Sequence, residues 1–114
     1  MRRVILADLE TEQPDALVCR KRASAERLEF IEYRYRGGAQ FPVHSHESEQ
    51  FTIVVQGTLV FTDGQSRECC LNEGEGVFIP SNEPHGAHVP EDIAETVTYN
   101  VFTPRRSEIP GLAG

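Results

Sequence analysis

No apolar run in these 114 residues approaches the roughly 20 residues that a membrane-spanning helix needs, so the chain reads as a soluble domain with no membrane partner. The opening "MRRVILADLETEQ" holds only the short apolar stretch "VILA", too brief for the core of a signal peptide, and the expected location is cytoplasmic. Basic residues are scarce as well. Eleven Lys and Arg stand against 18 Asp and Glu, a net charge of -7, whereas binding to a phosphate backbone requires clustered positive charge. No nucleic-acid partner is expected. The three cysteines, Cys19, Cys69 and Cys70, are an odd number without metal-finger spacing, which fits a reducing compartment. Cys69 and Cys70 are neighbours, so on a strand they are expected to face opposite ways, one packed inside and one outside. Internal repeats and low-complexity tracts are missing, and 39% apolar with 25% charged residues excludes a disordered chain.

Turn signals, by contrast, are plentiful: "GG" at 37, "QG" at 56, "DG" at 63, "NEGEG" at 72, "NEP" at 82 and "PED" at 90. Short regular spacing of this kind predicts an all-β sandwich or barrel. Between the turns lie "ALVCR", "RLEFIEYRY", "FTIVV", "TLVFT", "SRECCL", "GVFIP" and "TVTYNVFT", rich in Val, Ile, Thr, Phe and Tyr. In "LEFIEYRY" the alternation sets apolar Leu28 and Phe30 against Glu29 and Glu32, the pattern of a half-buried strand. Asp63-Gly64 is a strong hairpin signal, and residues 51–72 are expected to form an antiparallel meander. The length fits one domain. Its expected parts are N-terminal strands over 1–25, a barrel over 26–104 and a tail over 105–114 whose "SEIPGLAG" suits neither strand nor helix.

All four histidines fall in two clusters, "HSH" at 44–46 and "HGAH" at 85–88. In extended chain, residues two apart share a face, so His44 and His46 can point at one ion, and imidazole nitrogen suits Zn, Ni, Fe or Cu. Gln50 has the same parity and an amide oxygen to offer, with Glu47 and Glu49 as competing donors. The alternative is that Gln50 only packs and the site has three histidines. Further on, Pro84 restrains the turn that delivers His85 onto its strand. If that strand lies beside the one carrying His44 and His46, three imidazoles converge. His88 carries no ligand role in this reading.

Gly38, five residues, His44 and His46, three residues, Gln50, six residues, Gly57, and then Gly74, five residues, Pro80, four residues, His85, resembles the two-motif signature of the cupin superfamily. The resemblance implies a single-domain, all-β, cupin-type antiparallel jelly-roll barrel with a metal in its mouth. It also implies His44, His46, Gln50 and His85 as ligands of one divalent transition ion, with Zn, Ni, Fe, Mn and Co all open. Position 50 is Gln where many members have Glu, position 82 is Asn where Gly is usual, and position 89 is Val where Asn is frequent.

Within the superfamily, "HSHESEQ", "FIPSNEPHGA" and "YNVFTPRRSE" are similar to the pectin-degradation cupins, which convert cyclic 4,5-unsaturated uronates to their linear keto form. That family's last-strand Asp, Phe and Arg fall here on Asn100, Phe102 and Arg106, so the proton-transferring Asp is lost and the three are expected to position substrate. Independently, Thr98, Asn100 and Phe102 form a mixed face suited to lining a wet cavity, and Arg106 past Pro104 is either a clamp for a carboxylate or, with Arg105, a solvated basic pair balancing nearby acids. The implied function is non-redox isomerase, lyase or cyclase chemistry on a small oxygen-rich molecule. An iron-dependent oxygenase and a non-catalytic binding module are the alternatives. Glu47, Glu49, His88, Tyr99 and a metal-bound hydroxide are the candidate bases. The resemblance further implies a homodimer built with N-terminal strands, for which "VILADL" or "ALVCRKR" is available.

Overall fold

In the computed structural model, which describes residues 1–105, ten strands follow one short 3₁₀ turn at Leu6–Asp8. They are β1 Glu12–Asp15, β2 Val18–Ser24, β3 Glu29–Arg36, β4 Gln40–His44, β5 Glu49–Gln56, β6 Leu59–Thr62, β7 Glu68–Leu71, β8 Gly76–Ile79, β9 His85–His88 and β10 Glu95–Thr103. Two antiparallel sheets result, one in the order β1-β2-β3-β10-β5-β8 and one in the order β4-β9-β6-β7. Ile31, Tyr33, Val54, Ile79 and Phe102 of the first sheet pack with Phe41, Leu59, Phe61, Leu71 and Ala87 of the second in one core. Tyr35 meets Phe41 edge-on across that core at 4.9 Å between ring centroids. This is the all-β antiparallel jelly roll expected from the sequence. Among the described residues, no helix is long and apolar enough to cross a membrane.

Several local expectations are corrected. "VILADL" supplies no strand, because Leu6–Asp8 form the 3₁₀ turn and Val4, Ile5 and Leu9 lie outside any strand, and the edge of the large sheet is instead β1, "EQPD". Pro14 fits there because an edge strand has one side on which no N–H is needed. The segment 51–72 is not a continuous meander. β6 and β7 do form the Asp63-Gly64 hairpin, but β5 pairs with β10 and β8 while β6 pairs with β9. Between β5 and β6 the chain crosses from one sheet to the other at Gly57, where φ is 82° and a Cβ would lie 2.5 Å from the Glu95 carbonyl oxygen. Only glycine fits that corner.

In β3 the inward set is Glu29, Ile31, Tyr33 and Tyr35, while Leu28 is exposed and Phe30 lies on the outer face against Tyr99. Glu29 takes the face expected for Phe30, and Glu32, two residues on from Phe30, shares its outer face instead of opposing it. Cys69 and Cys70 are both exposed, because β7 is an edge strand and its inward side opens onto a cleft rather than the core.

β1 is held to β2 by Glu12, whose Oε1 accepts from Nε of Arg22 at 2.8 Å and of Arg20 at 2.9 Å. The Arg22 hydrogen bond, more than the opposing desolvation or the Arg20 bond, keeps the Glu12 carboxyl below its ordinary value. A depressed carboxylate contributes stability above its unfolded pKa and loses it as pH falls through the folded one. Because the side chain is 35% exposed, the contribution is modest. Acidifying below the carboxylate range should therefore loosen β1 before the barrel melts. Amide-exchange protection, corrected for intrinsic rates, should drop first at the β1–β2 pairs; uniform loss across all strands would contradict this.

Candidate metal centre

β4 and β9 are neighbours, and His44 at the end of β4 is the register partner of His85 at the start of β9. Gly86 permits that contact, since a Cβ there would lie 2.8 Å from the Phe41 carbonyl oxygen. His46 lies past the end of β4, in the connection to β5, and Gln50 is the second residue of β5. The loop before His85 is tied to this connection by the Asn82 N–H, which donates to the His46 carbonyl at 2.8 Å. Asn82 itself has φ of 64°, in the left-handed region that glycine and asparagine tolerate best. The departure from glycine noted at position 82 thus preserves the backbone conformation.

The three imidazoles are oriented alike. Nδ1 of His44 lies 3.1 Å from the Pro42 carbonyl, Nδ1 of His46 lies 2.9 Å from that of Ser48, and Nδ1 of His85 lies 2.9 Å from that of Glu83. A carbonyl only accepts, so each Nδ1 carries the proton and donates it, and each Nε2 presents a lone pair. Donor nitrogens of the three rings lie within 4.8 Å of one another, with ring centroids 4.5 to 5.4 Å apart. The amide oxygen Oε1 of Gln50 joins them, 3.1 Å from Nε2 of His46. Two acceptors at that distance repel unless a cation or a proton lies between them. Three neutral imidazoles fixed by carbonyls, with a fourth oxygen donor beside them, fit a borderline transition ion.

Behind Gln50 the interior is polar. Nε2 of Gln50 donates to Oγ1 of Thr52 at 2.8 Å, and Oγ1 of Thr52 donates to Oδ1 of Asn100 at 2.7 Å. Nδ2 of Asn100 donates to the Ile31 carbonyl at 3.1 Å and to Oγ1 of Thr98 at 2.9 Å. Oγ1 of Thr98 reaches the Tyr35 hydroxyl at 3.4 Å, and burial pushes that phenol well above its ordinary pKa, so it stays protonated. The mixed face of β10 therefore points inward as expected, but with Asn100 only 1% exposed and about 10 Å³ of space beside it, that face lines no wet cavity. Phe102 is fully buried and edge-on to His46, with centroids 5.8 Å apart. Arg106 lies outside the described residues.

The other candidates lie apart from the cluster. Among the described residues His88 is not in it, Glu47 and Glu49 are exposed, and Tyr99 sits on the outer face against Phe30. Sequence reading passed over Glu29, a 3% exposed carboxylate beside Phe102 in register, whose Oε2 accepts from Ser24 while Oε1 has no hydrogen-bond partner among the described residues. It also passed over Thr52, although the parity of Gln50 would have found it. The interior itself is filled, with a void of about 10 Å³ among Tyr35, Phe41, Gln50 and Asn100. A cleft of about 520 Å³ opens instead between the edge strands β7 and β8, lined by Phe61, Arg67, Cys69, Ile79 and His85 among others.

A family model described as "Cupin domain" matches residues 31–102. Among solved structures, KdgF from Halomonas sp. is 25% identical with a TM-score of 0.80, over 90% of this chain and 94% of that one. An RmlC-like cupin from Shewanella frigidimarina is 24% identical with a TM-score of 0.81, over 91% of each chain. The polyketide cyclase RemF from Streptomyces resistomycificus is 23% identical with a TM-score of 0.79, over 96% of this chain and 84% of that one. The last two likenesses speak to the fold. A nitrosourea synthase from Streptomyces achromogenes subsp. streptozoticus is 37% identical over 49 residues, which is 43% of this chain and 10% of that protein.

Proposed function

The chain belongs to the cupin family, and from that membership we propose that it is a metalloenzyme holding one divalent transition ion through His44, His46 and His85, with Gln50 as the fourth donor. Its proposed chemistry is non-redox, of the isomerase, lyase or cyclase kind, on a small oxygen-rich molecule bearing a carboxylate. The observation that carries the reading is the common arrangement of the three rings, each Nδ1 on a backbone carbonyl, which leaves each Nε2 as the available donor, in a group whose donor atoms lie within 4.8 Å of one another. When bound, such an ion acts as a Lewis acid toward a carbonyl or enol oxygen. Three neutral imidazoles and a neutral amide leave its double charge uncompensated, which favours an anionic group in the substrate.

The chain's own residues divide the remaining work. The filled interior keeps substrate at the outer side of the cluster, and the cleft against His85 gives it room. Phe102 closes the barrel side next to His46. Asn100 moves no proton, because an amide has no titratable group and both of its ends are engaged inside the barrel. An unsaturated uronate is the first substrate to try, being that of the pectin-degradation cupins the sequence resembles.

The experiment is to purify the protein without a histidine tag, measure bound metal by mass spectrometry, and follow loss of the uronate chromophore with and without oxygen. The expected result is one ion per chain and turnover indifferent to oxygen. Protein that binds no transition ion under any loading would end the proposal. A second reading, iron-dependent oxygenation, draws on the same three-imidazole donor set, and oxygen uptake with iron would establish it instead.

A further inference from the structure

An amide side chain has an oxygen end and an NH₂ end of nearly the same shape, yet only the oxygen can face a cation. What decides the orientation of Gln50 is legible in the barrel. The Ile31 carbonyl belongs to the backbone of β3 and can only accept, so Asn100 must turn Nδ2 toward it, at 3.1 Å. That leaves Oδ1 of Asn100 facing Oγ1 of Thr52, which donates its one proton there at 2.7 Å. Oγ1 of Thr52 is then an acceptor toward Gln50, and Nε2 of Gln50 donates to it at 2.8 Å. The remaining end of Gln50, Oε1, points at His46. Gln50, Thr52 and Asn100 are at most 2% exposed, so water does not compete for these bonds.

We propose that Thr52 and Asn100 are positioning residues that fix the Gln50 amide oxygen toward the histidine cluster, making Gln50 a donor to the ion rather than a packing residue. The proposal rests on the metal-centre reading above and adds to it two residues that do not touch the ion. It also gives asparagine at position 100 a task of its own. An ionised Asp there has no N–H for the Ile31 carbonyl, so the end of the chain of hydrogen bonds would lose its anchor.

The test is a cycle of four proteins: wild type, Thr52→Val, Gln50→Glu and the double variant. Affinity for Zn²⁺ is read by competition with a chelator, and coordination by the visible spectrum of the Co²⁺ form. With Gln50 in place, Thr52→Val should weaken Zn²⁺ binding by about 10- to 100-fold, the range for lost outer-shell partners, and shift the Co²⁺ spectrum. In the Gln50→Glu background both ends of the side chain are oxygens and no orientation has to be chosen, so Thr52→Val should change affinity far less. Thr52→Ser keeps the hydroxyl and should bind as wild type.

Equal losses in both backgrounds would show a merely structural effect and overturn the proposal, as would unchanged binding by Thr52→Val. Should Thr52→Val fail to fold, Asn100→Leu reads the same link, because it frees the Thr52 proton to attract Oε1 inward. Wild-type protein that binds neither Zn²⁺ nor Co²⁺ would overturn the metal-centre reading, and this inference with it. That outcome is separable, because it is seen before any variant is made.

Discussion

Alanine at His85 should abolish stoichiometric metal in a protein that still folds, and alanine at His44 or His46 should do the same. The three imidazoles come together from three parts of the chain, the end of β4, the loop after it and the start of β9. Each is aimed by its own carbonyl contact, so no neighbouring imidazole can swing in to replace a missing one. Loss of a direct ligand should exceed the roughly 10- to 100-fold that loss of an outer partner costs. Gln50→Ala should weaken binding less than any histidine variant, because a neutral amide oxygen is the weakest of the four donors.

Stability separates this outcome from misfolding. An ion that binds only the native state, present at about 100 times its Kd, adds about 2.7 kcal/mol to unfolding. Wild-type protein should show that gain as a metal-dependent rise in melting temperature, and the alanine variants should melt at one temperature with or without metal. Retention of both full metal content and the metal-dependent shift by all three variants would remove the histidines from the centre.

The histidine constellation was legible because ligand chemistry is carried by residue type and spacing, and because the turns that set the register have their own signatures. Gly38, Gly57, Gly64 and Gly74 stand at positive φ where the sequence has its turn signals, and Asn82 substitutes for glycine at a fifth such position. The face of β10 was also legible, since Thr98, Asn100 and Phe102 share parity and all turn inward. What misled on β3 was the expectation that its apolar Leu28 and Phe30 form the inner face. In β5 the inward set is Gln50, Thr52 and Val54, while Phe51, Ile53 and Val55 face out, with Phe51 packed on the exposed Phe78. The same polarity holds on β3, where Glu29 is inside and Phe30 outside.

A barrel whose mouth holds a polar site reverses the usual polarity at that end, and periodicity alone does not say which face closes the barrel. Sheet membership was hidden for a related reason. A glycine corner between β5 and β6 reads like a hairpin turn, and only the partners β9 and β10, far along the chain, decide that the two strands belong to different sheets.

Phe102→Ala should be the most destabilising single truncation near the site. The ring is fully buried, packs in the core cluster with Ile31, Val54 and Phe61, and stands edge-on to His46. β10 pairs with both β3 and β5, so the phenylalanine sits in register between Glu29 and Gln50 at the centre of the large sheet. Removing a buried phenylalanine ring costs about 3–5 kcal/mol. Against a total of roughly 5–15 kcal/mol for a domain, that is a large fraction. At roughly 4 °C per kcal/mol for a chain of this size, the melting temperature should fall by about 12–20 °C.

Phe102→Leu separates packing from the contact with His46. It keeps most of the apolar volume and should cost less than about 1.5 kcal/mol, the range for swaps that roughly conserve volume. It nevertheless removes the ring that stands edge-on to the His46 imidazole and holds it in place, so metal affinity should fall even where stability is nearly kept. Thermal melts of the apo forms, paired with Zn²⁺ competition, measure the two effects separately. Apo Phe102→Ala melting within about 2–3 °C of wild type, a shift that corresponds to about 0.5–0.75 kcal/mol, would mean that the ring is not the keystone of this end of the barrel.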